Sequence, residues 1–302
     1  MAKRAVKNRI DAEYIDIHSH FDYKADIDAF VKAARKQSLA VAVSACGPMY
    51  CQPGNEVVAD AVRRYPDTII GMAFIGLGRG DTPETVEKAH DDGFAGLKVI
   101  APTKDYDDEE FFPIYAKAEE LKMPVLFHTG VVARSDVMIA ERKKAGKPVP
   151  PHPDPRTFNI SSKRMEPMCV DGIARAFPSL NCIMAHFGST GRRDVSEGII
   201  RWNPNVYGDL TSYSWAFNVD KTKRGWHIEK KFVDMFVNEL RPLHVAKYAH
   251  KLLYATDVTI STPQLLDAKL ASHKAVYSAL GIDKNGIRAM MHDTAARLLN
   301  LA

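Results

Sequence analysis

At 302 residues, with 46% apolar and 26% charged side chains and a formal charge of only +4, the chain has an ordinary globular composition and room for one α/β barrel. Its Lys and Arg residues are scattered rather than clustered, which argues against nucleic acid as the main partner, and no apolar run is long enough to span a membrane. The basic stretch Met1 to Arg9 leads into no signal-type apolar segment, and Cys46, Cys51, Cys169 and Cys182 lack zinc-knuckle spacing, so they read as reduced thiols of a cytoplasmic protein.

The first apolar run, Ile15-Asp16-Ile17, ends in His18-Ser19-His20. On a strand the side-chain period is two, so both imidazoles share a face and can reach one metal ion. Taken alone, so short a motif recurs by accident. Apolar residues at helical spacing follow over Asp26 to Lys36, then the unbroken run Leu39 to Val43, which has the character of a strand buried on both faces. Asn55 to Tyr65 predicts a helix ended by Pro66, Ile69 to Ile75 a strand, and Thr82-Pro83-Glu84-Thr85 a capped helix start. The alternation continues with strands at Gly96 to Ile100, Pro124 to Gly130, Asn181 to His186, Asn205 to Leu210 and Lys251 to Asp257. Helices are predicted between them at Asp108 to Leu121, Val170 to Phe177, Val195 to Trp202 and Phe232 to Leu240, and two more from Pro263 and Asn285 close the chain.

Eight strands alternating with helices imply parallel βαβ units and a (β/α)8 TIM barrel spanning residues 1–302 as a single domain. In that architecture active sites lie at the C-terminal ends of the strands, where His18, His20, Lys98, His128, His186 and Asp257 all fall. Two connections are too long for turns. Val131 to Glu166, with Arg134, His152, Arg156 and Lys163, follows strand five; a stretch through Tyr213, Trp215, Phe217, Trp226 and His227 follows strand seven. Both are expected to wall a pocket over the barrel mouth.

In order and placement these segments resemble the amidohydrolase superfamily, and most closely amidohydrolase family 2. The resemblance rests on Asp16-Ile17-His18-Ser19-His20, Gly93 to Lys98, Pro124 to Gly130, Ile183 to Gly188, Asn205 to Leu210, Ala255-Thr256-Asp257 and Ala295 to Leu299. It departs at Thr256-Asp257-Val258-Thr259, where the family usually has Ser-Asp-Tyr-Pro, and at Thr294, where an asparagine is usual. The resemblance implies that His18, His20, His128 and Asp257 hold a divalent metal, most simply one zinc ion, with Asp257 also accepting a proton from water. His186 is then a catalytic residue that polarises a carbonyl or shuttles protons. Lys98 either orients groups as an ammonium or, if carboxylated, bridges two metal ions with His186 as a further ligand. The function implied is metal-dependent hydrolysis of a C–N or C–O acyl bond in a small anionic or aromatic substrate. Non-oxidative decarboxylation of a small carboxylated aromatic or muconate-like substrate is the alternative, and a catalytically silent barrel serving as a binding protein is a third. The partner expected is a small molecule, with neither nucleic acid nor membrane; a homo-oligomer is compatible with the sequence.

Overall fold

The computed structural model describes residues 10–301 apart from 24, 48–49, 51, 133, 147–159, 190, 212–218 and 223–224. In chain order the parallel strands are β1 (Tyr14–His20), β2 (Leu39–Ser44), β3 (Ile69–Phe74), β4 (Gly96–Val99), β5 (Val125–His128), β6 (Cys182–Ala185) and β7 (Val206–Asp209). A short antiparallel hairpin, β8 (Val219–Thr222) and β9 (Gly225–Ile228), occupies part of the long connection after β7. The eighth barrel position is split into β10 (Leu252–Leu253) and β11 (Val258–Thr259). The first piece pairs with β7 and the second with β1, so the parallel order returns to its start and the barrel closes. The TIM-barrel expectation is met.

Helices cover the outside: α1 (Ile27–Lys36), α2 (Asn55–Arg64), α3 (Pro83–Asp91), α4 (Phe112–Glu120), α5 (Ser135–Lys144), α6 (Pro167–Ala176), α7 (Arg193–Trp202), α8 (Lys230–Leu240), α9 (Leu265–Ala279), α10 (Lys284–Arg288) and α11 (Thr294–Leu298). Local chemistry starts them where the sequence predicts. Asp26 accepts the Ala29 N–H at 3.0 Å to cap α1, and Thr82 and Thr85 form a reciprocal capping box with Pro83 in the first turn of α3. The apolar stripe Ile27, Phe30, Val31 and Ala34 then buries α1 against the sheet. Each such large side chain contributes roughly 1.5–3 kcal/mol by leaving water.

Two apolar layers result. The outer one lies between sheet and helices; the inner one fills the barrel with Ile15, Ile17, Ala40, Ala42, Ile70, Met72, Leu126, Ile183, Tyr207 and Leu253, plugged by Ala295, Leu298 and Leu299 at α11. Register matters most in β1. Asp16 pairs with Val41 but Ser19 pairs with Val43, so three steps on β1 oppose two on β2. This bulge places one extra residue at Ile17-His18 and reverses the inside/outside phase. Ile15 and Ile17 fill the interior below it, and His18 and His20 face the same interior above it.

Candidate metal centre

Above the apolar plug the inward positions change from hydrocarbon to polar groups. Following the strand registers, they are His18 and His20 on β1, Ser44 on β2, Lys98 on β4, His128 on β5, Asp209 on β7, and His186 just past β6. Asp257 completes the ring between the two pieces of the eighth strand. Its φ of +53° is a left-handed conformation unfavourable for aspartate, held by its N–H donating to the His18 carbonyl at 2.8 Å. His186 is likewise left-handed, with φ +62°, in a tight turn over His186–Gly188. Phe187, next in the chain, packs on Gly208, where a Cβ would approach its ring to 2.6 Å. That close approach seats the turn beside Asp209.

Three ligand-type atoms converge. His18 Nε2 and His20 Nε2 are 3.0 Å apart, and Asp257 Oδ1 lies 3.3 Å from His20 Nε2 and 3.7 Å from His18 Nε2. Neighbouring ligands around a tetrahedral zinc with bonds of about 2.0–2.1 Å are about 3.3 Å apart, so the trio has the spacing of a metal's coordination sphere. His18, His186 and Asp209 form a second group within 4.8 Å of one another. His128 stands one ring away from the trio: its Nδ1 lies 3.3 Å from His186 Nε2, and its Nε2 is buried with no hydrogen-bond partner among the described residues. A buried lone pair without a donor suits a Lewis acid, and the donor set of imidazoles and a carboxylate suits zinc, manganese or a similar divalent ion.

The electrostatics keep three of the four rings neutral. Burial, reinforced by the Lys98 ammonium, lowers the His18 pKa to about 3, so His18 is neutral. Burial, and after it the neighbouring His186, Lys98 and His18 groups, hold His128 well below its ordinary value, and burial lowers His186. Burial alone would raise Asp257, but the His20, His18 and His186 rings around it win and keep it ionised. For His20 burial opposes protonation, yet Asp257 and Cys46 outweigh it and raise the pKa to about 9 without metal. Lys98 is wholly buried, its Nζ 3.0 Å from His18 Nε2, and desolvation lowers its pKa.

Two residues of the site have no role assigned from sequence. Asp16 accepts from His18 N (3.1 Å), Thr256 N (3.0 Å), Ser19 Oγ (3.1 Å) and Thr256 Oγ1 (2.5 Å), tying the β1 bulge to the residue before Asp257. Its burial raises its pKa to about 7. Asp209 accepts from His18 Nδ1 at 2.9 Å and from the His186 backbone N–H at 2.7 Å. The signal for Asp209 was available: Tyr207 faces the barrel interior, and Asp209 is the next residue in that register.

A cleft of about 230 Å³ opens beside the ends of β5 and β6, lined by Gly130, Val131, Ser162, Lys163, Glu166, Gly188, Ser189 and Arg192. Of the cationic residues in the connection after β5, Lys163 lines it, Arg134 is exposed and paired with Asp136, and Arg156 lies outside the described residues, as do His152, Tyr213, Trp215 and Phe217. The side chains of Trp226 and His227 are likewise not described. The α5 helix, unanticipated in the loop after β5, reaches back to the mouth. Arg142 donates to Asp22 at 3.0 Å.

A closed parallel barrel with a ring of imidazoles and carboxylates at its C-terminal mouth has the form of a TIM-barrel metalloenzyme site. The amidohydrolase family model matches residues 15–301, and the chain belongs to the amidohydrolase family, in its family 2 branch. No curated relative matches by sequence. Among solved structures, it is similar to an uncharacterized TIM-barrel protein from Bordetella bronchiseptica, with TM-score 0.60 and 16% identity over 95% of this chain and 98% of that one. A probable 2-pyrone-4,6-dicarboxylic acid hydrolase from Acinetobacter baumannii, with citric acid bound, gives TM-score 0.60 and 13% identity over 95% and 99%. A 5-carboxyvanillate decarboxylase from Novosphingobium aromaticivorans, with bound manganese, gives 0.58 and 14% over 96% and 98%. Hydrolases and decarboxylases thus both occur on this fold.

Proposed function

We propose that the chain is a metal-dependent hydrolase that opens a C–O or C–N acyl bond in a small anionic or aromatic substrate. The observation that carries this reading is the ionised Asp257 carboxylate held against the Nε2 atoms of His18 and His20 at the barrel mouth. A divalent ion held by His18, His20, Asp257 and His128 would supply Lewis acidity and lower the pKa of water toward roughly 7. Zinc is among the ions this donor set suits, and a single zinc ion is proposed.

The remaining steps belong to the chain's own side chains. Asp257, kept ionised, accepts a proton from the attacking water and returns it to the leaving group. His186, neutral and beside His128, places an acceptor nitrogen at the mouth, where it takes up and passes on protons. Lys98 is buried among these groups without an adjacent carboxylate in hydrogen-bond contact among the described residues, and in this reading acts as a charge that orients Asp257 or a substrate carboxylate. Lys163 and Arg192 give the adjoining cleft a cationic wall, with Arg192 already engaged to Glu166 at 2.8 Å. The cleft's volume favours a small substrate.

Non-oxidative decarboxylation uses the same groups differently: the carboxylated substrate is oriented at the mouth and a protonated residue delivers a proton to carbon. Turnover in ¹⁸O-labelled water separates the two. A 2-pyrone dicarboxylate, which hydrolysis would open, and a carboxylated phenol, which could only lose CO₂, serve as the first substrates, because solved structures similar to this chain are described as a 2-pyrone-4,6-dicarboxylic acid hydrolase and a 5-carboxyvanillate decarboxylase. Label in the product carboxylate is the expected result. Release of CO₂ with solvent hydrogen on carbon and no label would refute the hydrolytic reading.

A further inference from the structure

We infer that Asp209 is the positioning residue of the centre: it is the root of a hydrogen-bond chain that fixes the tautomers of His18, His186 and His128, leaving the lone pair of each on Nε2. One branch is direct. Asp209 Oδ2 can only accept, so His18 Nδ1 at 2.9 Å must carry the proton and its Nε2 the lone pair. The other branch runs through Thr211. Its hydroxyl donates to Asp209 Oδ1, so the same oxygen accepts from His186 Nδ1 at 2.8 Å. With its proton on Nδ1, His186 presents an Nε2 lone pair to His128 Nδ1 at 3.3 Å. His128 must then donate from Nδ1, which leaves its own Nε2 as a lone pair. That atom is the buried one with no partner among the described residues.

Asp209 is equipped to hold this arrangement. It is fully buried, and Oδ1 also takes the backbone N–H of His186 at 2.7 Å and of Thr211 at 3.1 Å. These two amides and the Thr211 hydroxyl fix one carboxylate oxygen and aim the other at His18. The inference rests on the metal-centre reading for its use, but the tautomers can be measured without any metal.

The test compares Asp209→Asn and Thr211→Val with wild type. In Asp209→Asn the amide oxygen stays with the three donors on the Oδ1 side, so the NH₂ group meets His18 Nδ1. His18 then moves its proton to Nε2, and the lone pair aimed at the metal is lost. Long-range ¹H–¹⁵N correlation spectra of the histidine rings in chelator-treated protein read this directly. Wild type is expected to show Nδ1–H for His18, His186 and His128; Asp209→Asn is expected to show Nε2–H for His18, with zinc affinity by chelator competition lowered about 10–100-fold. Thr211→Val breaks only the second branch, so His186 and His128 change and His18 does not. A purely structural role would lower the unfolding temperature without moving tautomers selectively. An Asp209→Asn protein that keeps Nδ1–H on His18 and wild-type zinc affinity would overturn the inference. If wild type binds no metal at all, the functional reading fails, while the ring tautomers still decide the inference.

Discussion

The Nε2 of His128, without a partner among the described residues, makes an unusual substitution informative, because replacing His128 with leucine should separate stability from metal binding. In the metal-free protein a buried polar atom without a partner costs about 1–3 kcal/mol, and the variant removes it. It also leaves His186 Nε2 without its donor, which costs about 1–3 kcal/mol in turn. The two changes offset, so the metal-free variant should lie within about 2 kcal/mol of wild type. Metal reverses the comparison. At a free ion concentration of about 100 times its Kd, wild type gains about 2.7 kcal/mol, and for a chain this long 1 kcal/mol moves Tm by about 2 °C. A gain of about 5 °C is expected for wild type. If the lost ligand weakens binding about 100-fold, the variant at the same ion concentration gains only about 0.4 kcal/mol, or about 1 °C. Thermal unfolding in chelator and in zinc reads both numbers. A variant that keeps the full metal-dependent shift would remove His128 from the coordination sphere. One that is much less stable in chelator would show that the buried nitrogen was never a liability.

Lys269 lies buried under the centre, its Nζ donating to the Thr256 carbonyl at 3.0 Å, and burial lowers its pKa from 10.5 to about 8. The folded state therefore binds fewer protons than the unfolded chain between those values, so the resulting destabilisation of about 3 kcal/mol is fully present below pH 8 and relieved as pH rises toward 10.5. Urea unfolding of wild type and Lys269→Met at pH 7.5 and pH 10 should show wild type gaining relative to the variant; a pH-independent difference would contradict this. Arg142→Ala removes the contact that fastens α5 to Asp22, to which Ser261 also donates at 3.2 Å. Proteolysis within residues 135–144 should accelerate about tenfold with global Tm nearly unchanged, as loss of a partly buried pair worth about 1–2 kcal/mol predicts.

Much of this centre was legible because barrel strands give each residue a fixed direction. His18, His20, Lys98 and His128 were found from strand periodicity and apolar runs, and they face the interior. What was hidden is departure from periodicity. Alternation alone puts Ile15 and Ile17 on the face opposite His18 and His20; the bulge brings all four inside, and nothing in Asp16-Ile17-His18 announces it. Asp257 and His186 owe their positions to left-handed backbone that local propensity disfavours. Asp209 could have been found by carrying the inward register one step past Tyr207, but aspartate after Gly208 also reads as the start of a loop. The α5 helix presents no periodic apolar face, so the sequence offered only a long polar connection.

The central claim is that His18, His20 and Asp257, joined by His128, hold a divalent ion at the mouth of the barrel. Elemental analysis of protein purified without chelator, combined with anomalous diffraction at the metal edge, tests it most directly. The account predicts one equivalent of divalent metal, with density on the Nε2 atoms of His18, His20 and His128 and on the Asp257 carboxylate. Metal-free protein with an ordered, unliganded His18/His20 pair would contradict it, and two ions bridged through a modified Lys98 would replace the single-ion centre.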